Sequence, residues 1–153
     1  MSEQPQRNAA TSRESGFGPY GQYINIGHHL IGSDEGGAVG GRDTGPDPFE
    51  LVMAGLGACT TMTIRMVANR RKMALQDVAV TVRHLREPLP GKAAQPTEGK
   101  PHAFERIVTL TGDLTAEERA FLIGIADRCP VHKLLEAGAE IITREAEADN
   151  EAA

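Results

Sequence analysis

Apolar residues along this chain change period several times, and each change predicts an element. The pattern is smoothest over "LVMAGLGACTTMTI", residues 51–64, where no charged side chain occurs. Just upstream, Asp47 suits an N-cap, Pro48 the first helical position and Glu50 the third, a capping box with Asp in place of Ser or Thr. A helix is therefore expected from Pro48 to about Arg70 or Arg71, where Arg70, Arg71 and Lys72 suit the negative end of the helix dipole. Its first two-thirds is apolar or small on every side, and a helix apolar all round must be buried all round. Gly55 and Gly57 each cost about 0.8–1 kcal/mol relative to Ala in a helix interior, so they imply close approach by another backbone. One sheet in a chain of this size cannot cover such a helix. A homodimer with the helix at or near the interface is expected.

The other segments are shorter. Tyr20 to Gly32, "YGQYINIGHHLIG", mixes β-formers with glycine and predicts one or two strands, and the glycine-rich stretch after it is a loop. Val78, Val80 and Val82 alternate with Ala79, Thr81 and Arg83. Phe104, Arg106, Val108 and Leu110 share one face of a second strand, with Ile107 and Thr109 on the other. Two half-buried strands, paired as a hairpin across a proline-rich loop at 88–102, follow from that alternation. Thr115 and Glu118 form a capping box that opens a helix over residues 116–128. Pro130 disfavours helical geometry at Cys129, so the helix breaks there and a short one begins, ending at Gly138. Ala139–Arg144, "AEIITR", predicts a closing strand. The order of elements is α+β with an antiparallel sheet. Residues 1–16 are expected to be a disordered tail, 17–146 a single domain and 147–153 a frayed acidic tail.

Composition narrows the function classes. A length of 153 residues suits one domain, and with no Trp and 4% aromatic residues the core must be aliphatic. The net charge of −5 argues against nucleic acid or an anionic membrane as the main partner. The polar N-terminus lacks the apolar stretch of a secretion signal, and the uncharged run at 51–64 is short for a membrane span, so a cytoplasmic location is expected. The two cysteines, Cys59 and Cys129, are too few for a disulfide scaffold or a cysteine zinc site. The five histidines show no ligand spacing and the glycines no phosphate loop.

Chemistry therefore centres on sulfur. The break at Pro130 places Cys129 at a helix N-terminus, where unpaired N–H groups and the dipole favour a thiolate, with Arg128 adjacent; the alternative is a small buried cap residue. Cys59 lies mid-helix and gains nothing from the dipole, so it is either core or a nucleophile activated by a cation brought from elsewhere. Arg42, in the loop feeding the helix, is the leading cation and otherwise a solvated loop charge. Arg65 points away from Cys59 by about 240° of helical rotation. Glu50 has a sufficient role in the cap, and its functional alternative is to hold an arginine. His132, three residues after Cys129, is close enough in sequence to reach its thiol, or is a partly exposed surface residue.

At this point two motifs are recognisable. "GGRDTGPDPFELVMAGLGACTTMTIRMVA", followed by "CPVHKLLE" seventy positions after its cysteine, resembles the OsmC/Ohr family, the osmotically inducible and organic hydroperoxide resistance proteins. The resemblance covers about residues 20–145. It implies an OsmC-like fold, an intertwined homodimer with long central helices, and a thiol peroxidase of the oxidative stress response. It also implies Cys59 as the peroxidatic cysteine and Cys129 as the resolving one. A Cys59 sulfenic acid, a Cys59–Cys129 disulfide and reduction by an external dithiol, often lipoyl, complete the implied cycle, without metal or organic cofactor. A glutamate ten residues before the peroxidatic cysteine belongs to that pattern; here Phe49 occupies the position and Glu50 lies nine before. Arg42 and Glu50 are the corresponding charge-tuning candidates. The rival functions are binding of an apolar small molecule on the same fold, and redox sensing with little or no turnover.

Overall fold

The computed structural model describes residues 9–85 and 100–146. Three short strands come first, β1 (Thr11–Glu14), β2 (Gln22–Ile26) and β3 (His29–Ser33), antiparallel in the order β1-β2-β3. Ile26 faces His29 across a two-residue turn. Gly27, with φ of 59°, takes the first turn position, which requires the left-handed region. Within the stretch expected to be a disordered tail over 1–16, Thr11–Glu14 is thus a strand. Thr11–Glu14 pairs with Asn25–Gln22 through backbone bonds, and its exposed polar side chains carry no signal of that pairing. Residues 1–8 lie outside the described residues.

Helix α1 (Pro48–Arg70) starts where the cap predicts. The Asp47 N–H donates to Glu50 Oε2 and the Glu50 N–H to Asp47 Oδ1, both at 2.8 Å. Leu56, Thr60, Ile64 and Ala68, four residues apart, form its buried stripe. Phe49, Val52, Met62 and Met66 stay exposed, so the chain alone does not bury this helix all round. At Gly57 an added Cβ would make only ordinary contact, 3.6 Å from the Val82 side chain, so the described chain does not require glycine there. Gly55 has open space beside it. By length and composition α1 is also long and apolar enough to cross a membrane, which the uncharged run alone did not suggest.

β4 (Leu75–Leu85) and β5 (Ala103–Gly112) pair as a two-stranded sheet with the anticipated alternation. Residues 86–99, most of the expected proline-rich loop, lie outside the described residues, as does the acidic tail at 147–153. Helix α2 (Ala116–Ile125) carries the full Thr115/Glu118 capping box. A 3-10 turn at Ala126–Arg128 follows, Cys129 is non-helical at ψ 128°, and α3 (Pro130–Ala137) ends at Gly138 with φ of 79°. The expected closing strand does not form. Residues 138–146 have no regular structure, and Ile141 and Ile142 are 87% and 83% exposed. A strand requires an edge to pair with, and neither described sheet takes this segment up.

The chain divides into two compact units. In Met1–Ala58 with Val80–Thr109, Phe49 stacks on His84 at 5.2 Å and 8°, and His84 stacks on Phe104 at 5.0 Å. In Cys59–Ala79 with Leu110–Ala153, the core is Thr60, Ile64, Ala68, Leu75, Leu114, Leu122, Ile125, Ala126 and Cys129.

Candidate active site

Both cysteines belong to the second unit, and the fold brings their thiols near enough for each to act on the other. They are free thiols. Cys129 is fully buried, whereas Cys59 is partly exposed. Pro130 sets this arrangement from the sequence upward: it breaks the α2 direction, leaves Cys129 as N-cap of α3 and supplies N1 of that helix.

The two thiols are tuned in opposite directions. Burial pushes the Cys59 thiol above its ordinary value of 9.0, and its hydrogen bond to Cys129 pushes the same way. Burial also pushes Cys129 up, but the Cys59 thiol, the His132 amide, the Thr60 hydroxyl and the Val131 amide together bring it below 9.0. No regular capping bond from an α3 amide to the Cys129 side chain is closed. The amides act as a converging positive end, as expected of an uncapped helix start.

The remaining candidates have other partners. Glu50 closes the α1 cap with Asp47. Arg42 lies in the first unit, its side chain over Gly18, where an added Cβ would sit 2.9 Å from Arg42 Cδ. Arg65 Nη1 donates to the Leu75 carbonyl at 2.7 Å and Nη2 to the Gln76 carbonyl at 3.0 Å. The His132 ring is held by Glu136 Oε2 at 2.6 Å, with Asp127 Oδ1 at 3.9 Å, and its contribution to Cys129 is its backbone N–H. Among the described residues, no group of three or more His, Cys, Asp or Glu could hold a metal ion.

Sequence reasoning missed Asp34. It is buried in the loop before α1, and its Oδ2 accepts from the Thr44 hydroxyl at 2.7 Å, the Thr44 N–H at 3.2 Å and the Arg42 N–H at 3.3 Å. Oδ1 accepts the Glu35 N–H at 2.8 Å. The Thr44 hydroxyl is the main reason its carboxyl lies below 3.8. The available signal was an Asp opening a glycine-rich loop, the usual place for a side chain to bind turn amides.

An α+β chain with a buried and a partly exposed thiol near each other defines a dithiol protein. Residues 40–144 match the model of the OsmC-like protein family, and the chain belongs to that family. It is similar to the organic hydroperoxide resistance protein OsmC of Legionella pneumophila, at 25% identity over 83% of this chain and 87% of that one, with a TM-score of 0.54. An OsmC-like protein of Mycoplasma pneumoniae is 17% identical, covers 89% of each chain and has a TM-score of 0.65. An organic hydroperoxide resistance protein of Elizabethkingia anophelis is 21% identical over 82% of this chain and 84% of that one, with a TM-score of 0.57. None of the curated proteins compared matches the chain.

Proposed function

We propose that this OsmC-family chain is a thiol peroxidase that reduces organic hydroperoxides. The carrying observation is the meeting of Cys59 and Cys129, seventy positions apart, with only Cys59 open to a substrate. Cys59 attacks the distal oxygen, an alcohol leaves and a sulfenic acid remains. Cys129 then displaces the hydroxyl and closes a disulfide. An external dithiol, of lipoyl type in this proposal, restores both thiols by exchange in a reducing cytoplasm. Titration of thiols with cumene hydroperoxide tests it: loss of two thiols per peroxide is expected. Unchanged peroxide turnover in both Cys59→Ser and Cys129→Ser would sink it.

The raised Cys59 thiol also suits a second function, binding of an apolar molecule without turnover. A Cys59 unreactive to peroxide together with a co-purified ligand would select that alternative.

A homodimer is part of the proposal. Val52, Met62 and Met66 leave an apolar stripe on α1 on the side where Cys59 also lies. Sedimentation should give a dimer at micromolar concentration and a monomer for Met62→Glu. A monomeric parent protein would refute this element.

A further inference from the structure

Two histidines meet in the first unit, apart from the dithiol. His84 lies next to the end of β4 and His102 immediately before β5. A separation of eighteen positions hides the pair from spacing rules, and the strand pairing brings it together. His84 Nε2 and His102 Nδ1 face each other at 3.1 Å, with ring centroids 5.2 Å apart. Phenyl rings from two elements hold them. Phe49, in the first turn of α1, lies nearly parallel to His84 at 5.2 Å and 8°, and 6.1 Å from His102. Phe104 of β5 stacks on His84 at 5.0 Å and 25°. His84 is half-buried between these rings, and His102 is open to solvent.

In such a contact one nitrogen donates and the other accepts, so at least one ring offers a lone pair. A metal ion shared by the two nitrogens needs each at about 2.0–2.1 Å. Nitrogens 3.1 Å apart then subtend about 95–100° at the ion, between the octahedral and tetrahedral angles. Turning both lone pairs toward one point takes ring rotation about a soft torsion, with the strands left in place. The nearby charges do not oppose a cation. At the start of α1, the Asp47 and Glu50 carboxylates of the cap offset the positive end of the helix. Arg83, beside His84 in sequence, is paired with Glu105 at 3.1 Å.

We infer that His84 and His102 form a bidentate site for a borderline divalent transition-metal ion of the Ni²⁺, Cu²⁺ or Zn²⁺ type, with water in the remaining positions. Imidazole nitrogen suits these ions, whereas Ca²⁺ and Mg²⁺ take oxygen. On binding, the proton between the rings moves through water to the outer nitrogen of its own ring. Both inner lone pairs then go to the metal, and no electron is transferred. The site uses neither cysteine and stands apart from the peroxidase function.

Titration of the intact protein with Ni²⁺ tests this, by calorimetry and by amide NMR. One Ni²⁺ per chain should bind at this site. His84→Ala and His102→Ala should each weaken it about tenfold or more, since even outer-shell partners of a metal are worth that much. His28→Ala should leave the affinity unchanged. Substoichiometric Ni²⁺, being paramagnetic, should broaden the amide signals of His84, Leu85, His102 and Ala103 before those of Cys59 and Cys129, and Ca²⁺ should broaden none. If His84→Ala fails to fold, His102→Ala at its exposed position and the map of the parent protein decide the matter. Broadening centred on the cysteines, parent affinity in His102→Ala, or binding only at millimolar Ni²⁺ overturns the inference.

Discussion

Arg65 offers the sharpest separation of structure from chemistry, because it lies six residues after Cys59 on the same helix yet binds elsewhere. Its guanidinium ties α1 to the first two residues of β4 through the Leu75 and Gln76 carbonyls, at 2.7 and 3.0 Å. Each hydrogen bond from a charged donor contributes about 1.5–3 kcal/mol net when shielded. The Gln76 carbonyl is on the exposed side and water replaces the lost donor there, so Arg65→Met should cost about 2 kcal/mol in total. For a chain of this size each kcal/mol lowers Tm by about 2–4 °C, which gives a fall of about 4–8 °C. Calorimetry must be run at one protein concentration, since the Tm of the proposed dimer would depend on it. Arg65→Lys should recover about half of the loss, because an ammonium cannot bind both carbonyls in the guanidinium's planar fork. The rate of Cys59 oxidation should stay at the parent value in both variants below their transitions. A Tm within about 1 °C of the parent, or a slowed Cys59 with unchanged stability, would refute the assignment of Arg65 to the clamp.

Two further changes read separate parts of the fold. Leu122→Ala removes a fully buried side chain from the core that holds Cys129 and should cost about 2–5 kcal/mol in urea unfolding; a loss below about 1 kcal/mol would mean that this core is not packed as described. Asp34 has a folded pKa below its ordinary 3.8, so its contribution is complete above that value and is lost as pH falls below it. The Thr44 amide shift should therefore titrate with a midpoint below 3.8, Asp34→Asn should abolish that titration, and a midpoint at or above 3.8 would contradict the network.

Local rules read the helices well because their signals are local. Asp47 with Glu50, Thr115 with Glu118, and Pro130 each satisfy or remove a backbone group within a few residues, and each appears where the sequence places it. Strand pairing is different in kind. Thr11–Glu14 becomes a strand because β2 offers it an edge, and Ala139–Arg144 does not because no described edge takes it up, although the second segment is the more apolar. β-propensity describes fitness for a pleated surface and does not supply the surface. The even polarity of α1 was legible, but which side the chain covers was not. Leu56, Thr60, Ile64 and Ala68 differ little in character from the residues left exposed around them.

The site shows the same division at the level of single protons. That Cys129 begins a helix follows from Pro130 alone, and a helix start favours a thiolate wherever it occurs. That Cys59 is the poorer thiolate does not follow from its neighbours in sequence, which include three hydroxyls within four residues. It follows first from burial, which pushes the thiol up and which only the folded chain sets. Thr63, one helical turn on, donates to a backbone carbonyl, as Ser and Thr in helices commonly do.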